Sequence, residues 1–173
     1  EPFAYKNWTE LIKPIKIDVN KEENKIEGSV SVEPLERGFG LTIGNAIRRI
    51  LLSSLQGAAV TSVQIDGVLH EFSSIPGMIE DVTEFILNIK SLALMLNSDQ
   101  PKKMILQASG PGEVKASSIE ASSEIEIINP DLTLCHLEKS AKVNLEFTVQ
   151  NGKGYVPAEL QKKEDKQIGL VLV

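Results

Sequence analysis

EPLERGFGLTIGNAIRRILLSS, residues Glu33 to Ser54, reads as a strand end, a glycine-hinged turn and a helix from about Gly38 to Ser54. A helix on the surface of a globular domain hides one apolar stripe and turns its polar side to water. Turning about 100° per residue, Phe39, Ile43, Ala46, Ile47 and Ile50 make one stripe of this helix. Leu41, Leu52 and Leu55 fall on the opposite side, around Arg48 and with Arg49 at their edge. One stripe is expected to close on the chain's own sheet, and the other needs a further surface. The pattern predicts an assembly element rather than a catalytic one.

Upstream, Ile15, Ile17 and Val19 alternate with Lys16 and Asp18, the period of a half-buried strand. After a polar turn from Asn20 to Asn24, Ile26, Gly28, Val30 and Val32 alternate in the same way, so the two form a hairpin that Pro34 ends. Before them, Asn7 to Lys13 is a short lead-in anchored by Trp8, Leu11 and Ile12. Downstream, Gly57 stands where a glycine caps a helix C-terminus, and 59–65 is a strand closed by the Asp66-Gly67 turn. Val68 to Phe72 continues it as a hairpin arm, and Met78 to Lys90 is a second helix with Met78, Val82, Phe85, Ile86 and Ile89 on one face. Glu80, Asp81 and Glu84 sit in its early turns, where acids favour the positive end of the dipole. Short strands follow at 92–97, 103–109, 113–116, 124–128, 132–138, 142–150 and 168–173. With strand–strand–helix before Gly57 and a β-rich stretch after it, the fold class is α+β in two lobes.

The 173 residues suffice for a real core, and 42% hydrophobic with 24% charged residues is globular composition. Aromatics make up only 5%, so that core rests on Ile, Leu and Val. A net charge of −6 with thinly spread cations argues against a stand-alone DNA or RNA binder, which needs clustered Lys and Arg. The lone Cys135 excludes an intrachain disulfide and fits a reducing cytoplasm. No apolar run approaches the ~20 residues of a membrane span, and no signal peptide opens the chain. The absence of a leading Met and the apolar run from Ile168 to Val173 predict that the natural chain extends beyond both ends.

Gly38, Gly40 and Gly44 approach a dinucleotide fingerprint, but as G-x-G-x-x-x-G the spacing is one residue too long, and the flanking strands look like hairpins, not a parallel βαβ unit. A glycine-loop nucleotide-binding enzyme domain is the alternative reading. Gly38 and Gly40 more simply set the entry angle of the helix. Gly44, costing about 1 kcal/mol against Ala in a helix interior, predicts a close-packed neighbour. His70-Glu71 opens like a zinc-protease helix, yet Ser74 stands where the second His belongs. Cys135 and His136 point to opposite faces of a strand. No metal, no cofactor and no catalytic residue is implied.

Taken together, EPLERGFG at 33–40, TIGNAIRRILLSS at 42–54, VQIDGVLHEFSSIPG at 63–77, EDVTEFILNIKSL at 80–92 and GKGYVPA at 152–158 resemble one family. It is the alpha subunit of bacterial DNA-dependent RNA polymerase, in its N-terminal domain, and the similarity runs over nearly the whole chain in order. The resemblance implies a dimerisation subdomain, 1–56 and 168–173, and an inserted β-rich subdomain, 57–167. It implies a non-catalytic cytoplasmic scaffold that homodimerises and recruits the beta and beta-prime subunits for transcription. DNA would be reached only through the holoenzyme or through the family's C-terminal domain, and no membrane is involved.

By position, Arg49 and Leu52 match the family's beta-contact residues. Phe39, Ile43 and Ile50 would pack toward the sheet and the twin helix as the dimer interface, and Lys90 and Val173 match beta-prime attachment positions. The family continues past Val173 into a further strand and a second dimer helix, so a chain ending there is expected to dimerise weakly. Lys162, Lys163 and Lys166 stand in a loop that is acidic in several relatives, which argues against activator contact through it.

Overall fold

The computed structural model describes residues 7, 9–23, 26–68, 72–161 and 169–173. The fold is α+β and divides into two units, Glu1–Leu52 and Ser53–Val173. Trp8, the Leu69 to Glu71 part of the expected hairpin arm, the Lys162 to Lys166 loop and Ile168 lie outside the described residues.

In the first unit, β1 (Lys16–Lys21) and β2 (Gly28–Glu33) pair antiparallel with Ile17 opposite Val32 and Val19 opposite Val30. Directly opposed residues share a face, so the hairpin gathers four apolar side chains on one side, and Ile17, Val19 and Val30 are exposed there. Gly38 follows at φ +88°, a left-handed conformation that suits glycine, and α1 (Phe39–Ser53) begins directly after it. Gly40 is already helical, so the entry turn rests on Gly38 alone. Gly57 does not cap the helix; it lies in β3 (Gln56–Ile65), opposite Gly152.

The second unit is built on β3 and β10 (Lys142–Lys153), the latter also paired with β5 (Lys102–Ser109). With β4 (Leu94–Leu96), β7 (Ile119–Ala121) and β8 (Ile125–Ile127), the antiparallel order is β7-β5-β10-β3-β4-β8. A separate pair joins β6 (Gly112–Lys115) to β9 (Thr133–Leu137). Strict alternation buries Val143, Leu145, Phe147 and Val149 of β10. In β3 the inward residues Val60 and Val63 are three apart, because Ser62 faces Thr148 while Val60 faces Val149, leaving Thr61 as the extra residue of a bulge. The far edge of β3 is shared: Ala58 pairs with Leu94 of β4, and residues 62–64 pair with β11 (Leu170–Leu172). The terminal segment expected alongside the first lobe is thus seated in the second unit, where Val171 meets Val63 in the core.

The second helix starts later than its apolar pattern suggests. Between Gly77 and Glu80 the backbone is tied to β9: Glu138 N–H donates to Gly77 O at 2.8 Å, and Ile79 N–H to His136 O at 3.0 Å. Asp81, itself bridged to Ser74, is where the helix can begin. The Asp81 carboxylate accepts from Glu84 N–H at 2.7 Å as an N-cap, and α2 (Val82–Lys90) buries Val82, Phe85, Ile86 and Ile89. Asn88 Nδ2 donates to Leu134 O at 2.9 Å, fastening the helix to β9. Asp81→Ala is expected to destabilise the second unit by about 1 kcal/mol and Asp81→Asn by much less, read from urea unfolding midpoints at constant slope.

Candidate assembly surface

Three features of α1 mean that its own sequence does not hold it rigid. It spans 15 residues, and isolated helices of that length are marginal in water. It carries Gly40 and Gly44 in its body, each costing about 1 kcal/mol against Ala. It has no acid in its first turn and no base in its last, leaving the macrodipole unanswered. Helices of this kind are stabilised by what packs on them.

None of its residues is buried. On the first stripe, Phe39, Ile47 and Ile50 are exposed, and even Ile43, the least so of its large apolar residues, is 37% exposed. On the opposite side Leu41 is 75% and Leu52 60% exposed, with Leu51 similar; Leu55, expected on this side, lies past the helix end at Ser53 and is exposed too. The expectation that one stripe closes on the chain's own sheet is not met. A two-stranded hairpin offers too little surface to cover a helix, and its own apolar face is open. Gly44 likewise lacks the expected neighbour, since a Cβ placed there would meet nothing within 4 Å. It falls on the Leu41 side of the helix, leaving that side room for a close approach from outside.

The structure thus gathers Phe39, Ile43 and Ile50 on one side of a single helix and sets Leu52 on the other, with Arg48 and Arg49 both exposed. Lys90 is exposed at the last turn of α2. Val173 lies beyond β11, its N–H donating to Thr61 O at 3.0 Å and its side chain packed against the core. These two stand on separate elements. The glycine motif at 38–44 is not flanked by a parallel strand pair: β2 pairs antiparallel with β1, and β3 belongs to a different sheet. That removes the context a dinucleotide turn requires.

One pair escaped the sequence reading. Glu80 is not in the helix whose dipole was expected to account for it; it precedes the N-cap and is only 8% exposed. Its carboxylate accepts from His136 N–H at 2.8 Å and from the His136 ring Nδ1 at 2.5 Å. Burial pushes the Glu80 carboxyl up, but the two His136 hydrogen bonds, a backbone hydrogen bond at Glu80 itself and the His136 charge together hold it below its usual value. The same side-chain bond, aided by the charges of Glu80, Glu113 and Glu84, holds the His136 imidazole above its usual value. Cys135, facing inward beside it, is pushed up to about 12 by burial and by the Glu80 charge.

Among the described residues no three metal-ligating side chains cluster, and no helix is long and apolar enough to cross a membrane. A family model described as the RNA polymerase Rpb3/RpoA insert domain matches residues 63–173, more than half the chain and nearly all of the second unit. α1 and the hairpin lie before the matched stretch.

Proposed function

We propose that this chain, which belongs to the RNA polymerase Rpb3/RpoA insert-domain family, is an alpha-type scaffold on which that enzyme is assembled. As a member it is a subunit of DNA-directed RNA polymerase and works in transcription. In this reading the hairpin and α1 form the dimerisation part, and the β-rich unit from β3 to β11 is the insert. Phe39, Ile43 and Ile50 face a second copy, Arg49 and Leu52 face the beta subunit, and Lys90 with Val173 face beta-prime. Nucleotide addition belongs to those larger subunits, DNA is met through the holoenzyme, and the protein acts in the cytoplasm.

The observation that carries this reading is a 15-residue helix apolar on two sides with no buried residue. Contiguous apolar surface of that kind on a globular protein marks an interaction site. Arginine and large side chains at the centre of such a patch are the usual energetic anchors. Arg49→Ala and Leu52→Glu, tested by co-purification of the tagged full-length subunit with beta, are each expected to weaken capture by at least about thirtyfold. That corresponds to the roughly 2 kcal/mol of a hot-spot residue. The subunit should stay folded and dimeric; undiminished capture by both variants overturns the assignment of this side of α1.

A further inference from the structure

Among the described residues, Glu80 is the one charged side chain in the buried set. Its position explains why it is there. Gly77 to Ile79 runs antiparallel to β9, with Met78 bridging Leu137. Ile79 N–H donates to His136 O, and a regular strand would return the bond from His136 N–H to a backbone carbonyl. Here the Glu80 carboxylate takes that donor instead and holds the His136 ring with its second oxygen. One side chain therefore ends the strand pairing and frees the chain to enter the Asp81 N-cap.

We propose that Glu80 and His136 form a charge-dependent latch that fixes the Gly77–Asp81 segment, and with it the start of α2, on the edge of β9, tight in mild acid and looser once His136 loses its proton. The ring is half open to solvent, at 47% exposure, so protons reach it without unfolding the unit. Among the described residues, the charged groups that act on it are acidic: Glu80 from the segment itself, Glu84 from the first turn of α2, and Glu113, its cross-strand partner on β6. Cys135, its neighbour on β9, stays a neutral thiol throughout the range. Ile79, exposed between the latched residues, moves with the segment, so the latch governs how that apolar side chain is presented.

The sign follows from linkage. His136 is raised in the latched state, so its contribution is complete below the ordinary imidazole value of 6.5 and is lost as pH rises through the raised value. Glu80 is lowered, so its contribution is complete above the ordinary carboxyl value of 4.5 and is lost as pH falls through the lowered value. The latch is tightest between those two ordinary values.

The test uses the intact chain. Imidazole resonances of His136 are followed by NMR against pH, alongside exchange protection of the Ile79 and Glu138 amides corrected for intrinsic rate. In the wild type, protection is expected to fall as His136 deprotonates. One pKa unit between latched and released states is a tenfold change in closure, so the fold-loss must match the imidazole shift seen between wild type and Glu80→Gln. His136→Asn should abolish the pH dependence, and Glu113→Gln should keep it. Flat protection through the wild-type titration, or an imidazole that titrates identically in Glu80→Gln, overturns the proposal. Where Glu80→Gln does not fold, the wild-type profile alone decides: a parallel fall supports the latch and a flat profile removes it.

Discussion

Phe147→Ala is expected to bring the second unit close to unfolding. Phe147 is wholly buried in the middle of β10, between β5 and β3. The register sets Met104, Phe147, Val63 and Val171 in one row across four strands, all of them buried. Leu106, Leu145 and Ile65 form the next row. Removing the ring takes away contacts with both neighbouring strands at once and leaves a cavity that a sheet core cannot collapse to fill. Such truncations cost about 3–5 kcal/mol, against a total stability of roughly 5–15 kcal/mol for a domain. Thermal unfolding should shift down by roughly 10–20 °C. Tyr155→Ala, at an exposed tyrosine, should stay within about 0.5 kcal/mol of wild type. A Phe147→Ala protein that melts with the wild type would mean that the row does not carry the core.

How much of this was visible in the residues depends on the range of the forces involved. The alternation of Val143, Leu145, Phe147 and Val149 is a local signal, and it marks β10 correctly. The three-residue spacing of the buried Val60 and Val63 breaks that alternation, and only the opposing strand explains it, because the bulge at Thr61 exists relative to β10. The apolar series of the second helix reads back to Met78, whereas hydrogen bonds to the end of β9, nearly sixty residues downstream, hold Gly77 and Ile79 outside the helix, which begins only after Asp81. The same separation hid the latch. Glu80 and His136 stand 56 positions apart, and no periodicity links them. The two-sided character of α1 was legible because it depends only on helical spacing. What covers it was not, because that lies with surfaces outside the helix.

On the dimer reading proposed above, Ile43→Asp is expected to convert the full-length protein from dimer to monomer while leaving its second unit folded. Ile43 sits at the middle of the first stripe, between Phe39 and Ile50, and is the least exposed of the large apolar residues on α1. Burying Phe39, Ile43 and Ile50 against a twin helix would contribute about 1.5–3 kcal/mol for each side chain fully covered. A carboxylate at the centre of that contact would lose its hydration without gaining a partner, which costs several kcal/mol more. Each 1.4 kcal/mol is a factor of ten in the dissociation constant, so dimerisation should weaken by more than about a hundredfold in sedimentation equilibrium. Leu41→Asp places the same charge on the opposite side of the same helix and is expected to leave the dimer intact. Circular dichroism of both variants separates loss of an interface from loss of the helix itself, because Leu41 lies in the first turn, where the dipole favours aspartate, and Ile43 in the second, where that effect has faded. If both become monomeric, α1 has melted or both sides serve the dimer; if neither does, the first stripe is not the contact. Only the split result is compatible with one helix holding a second copy on one side and a different partner on the other.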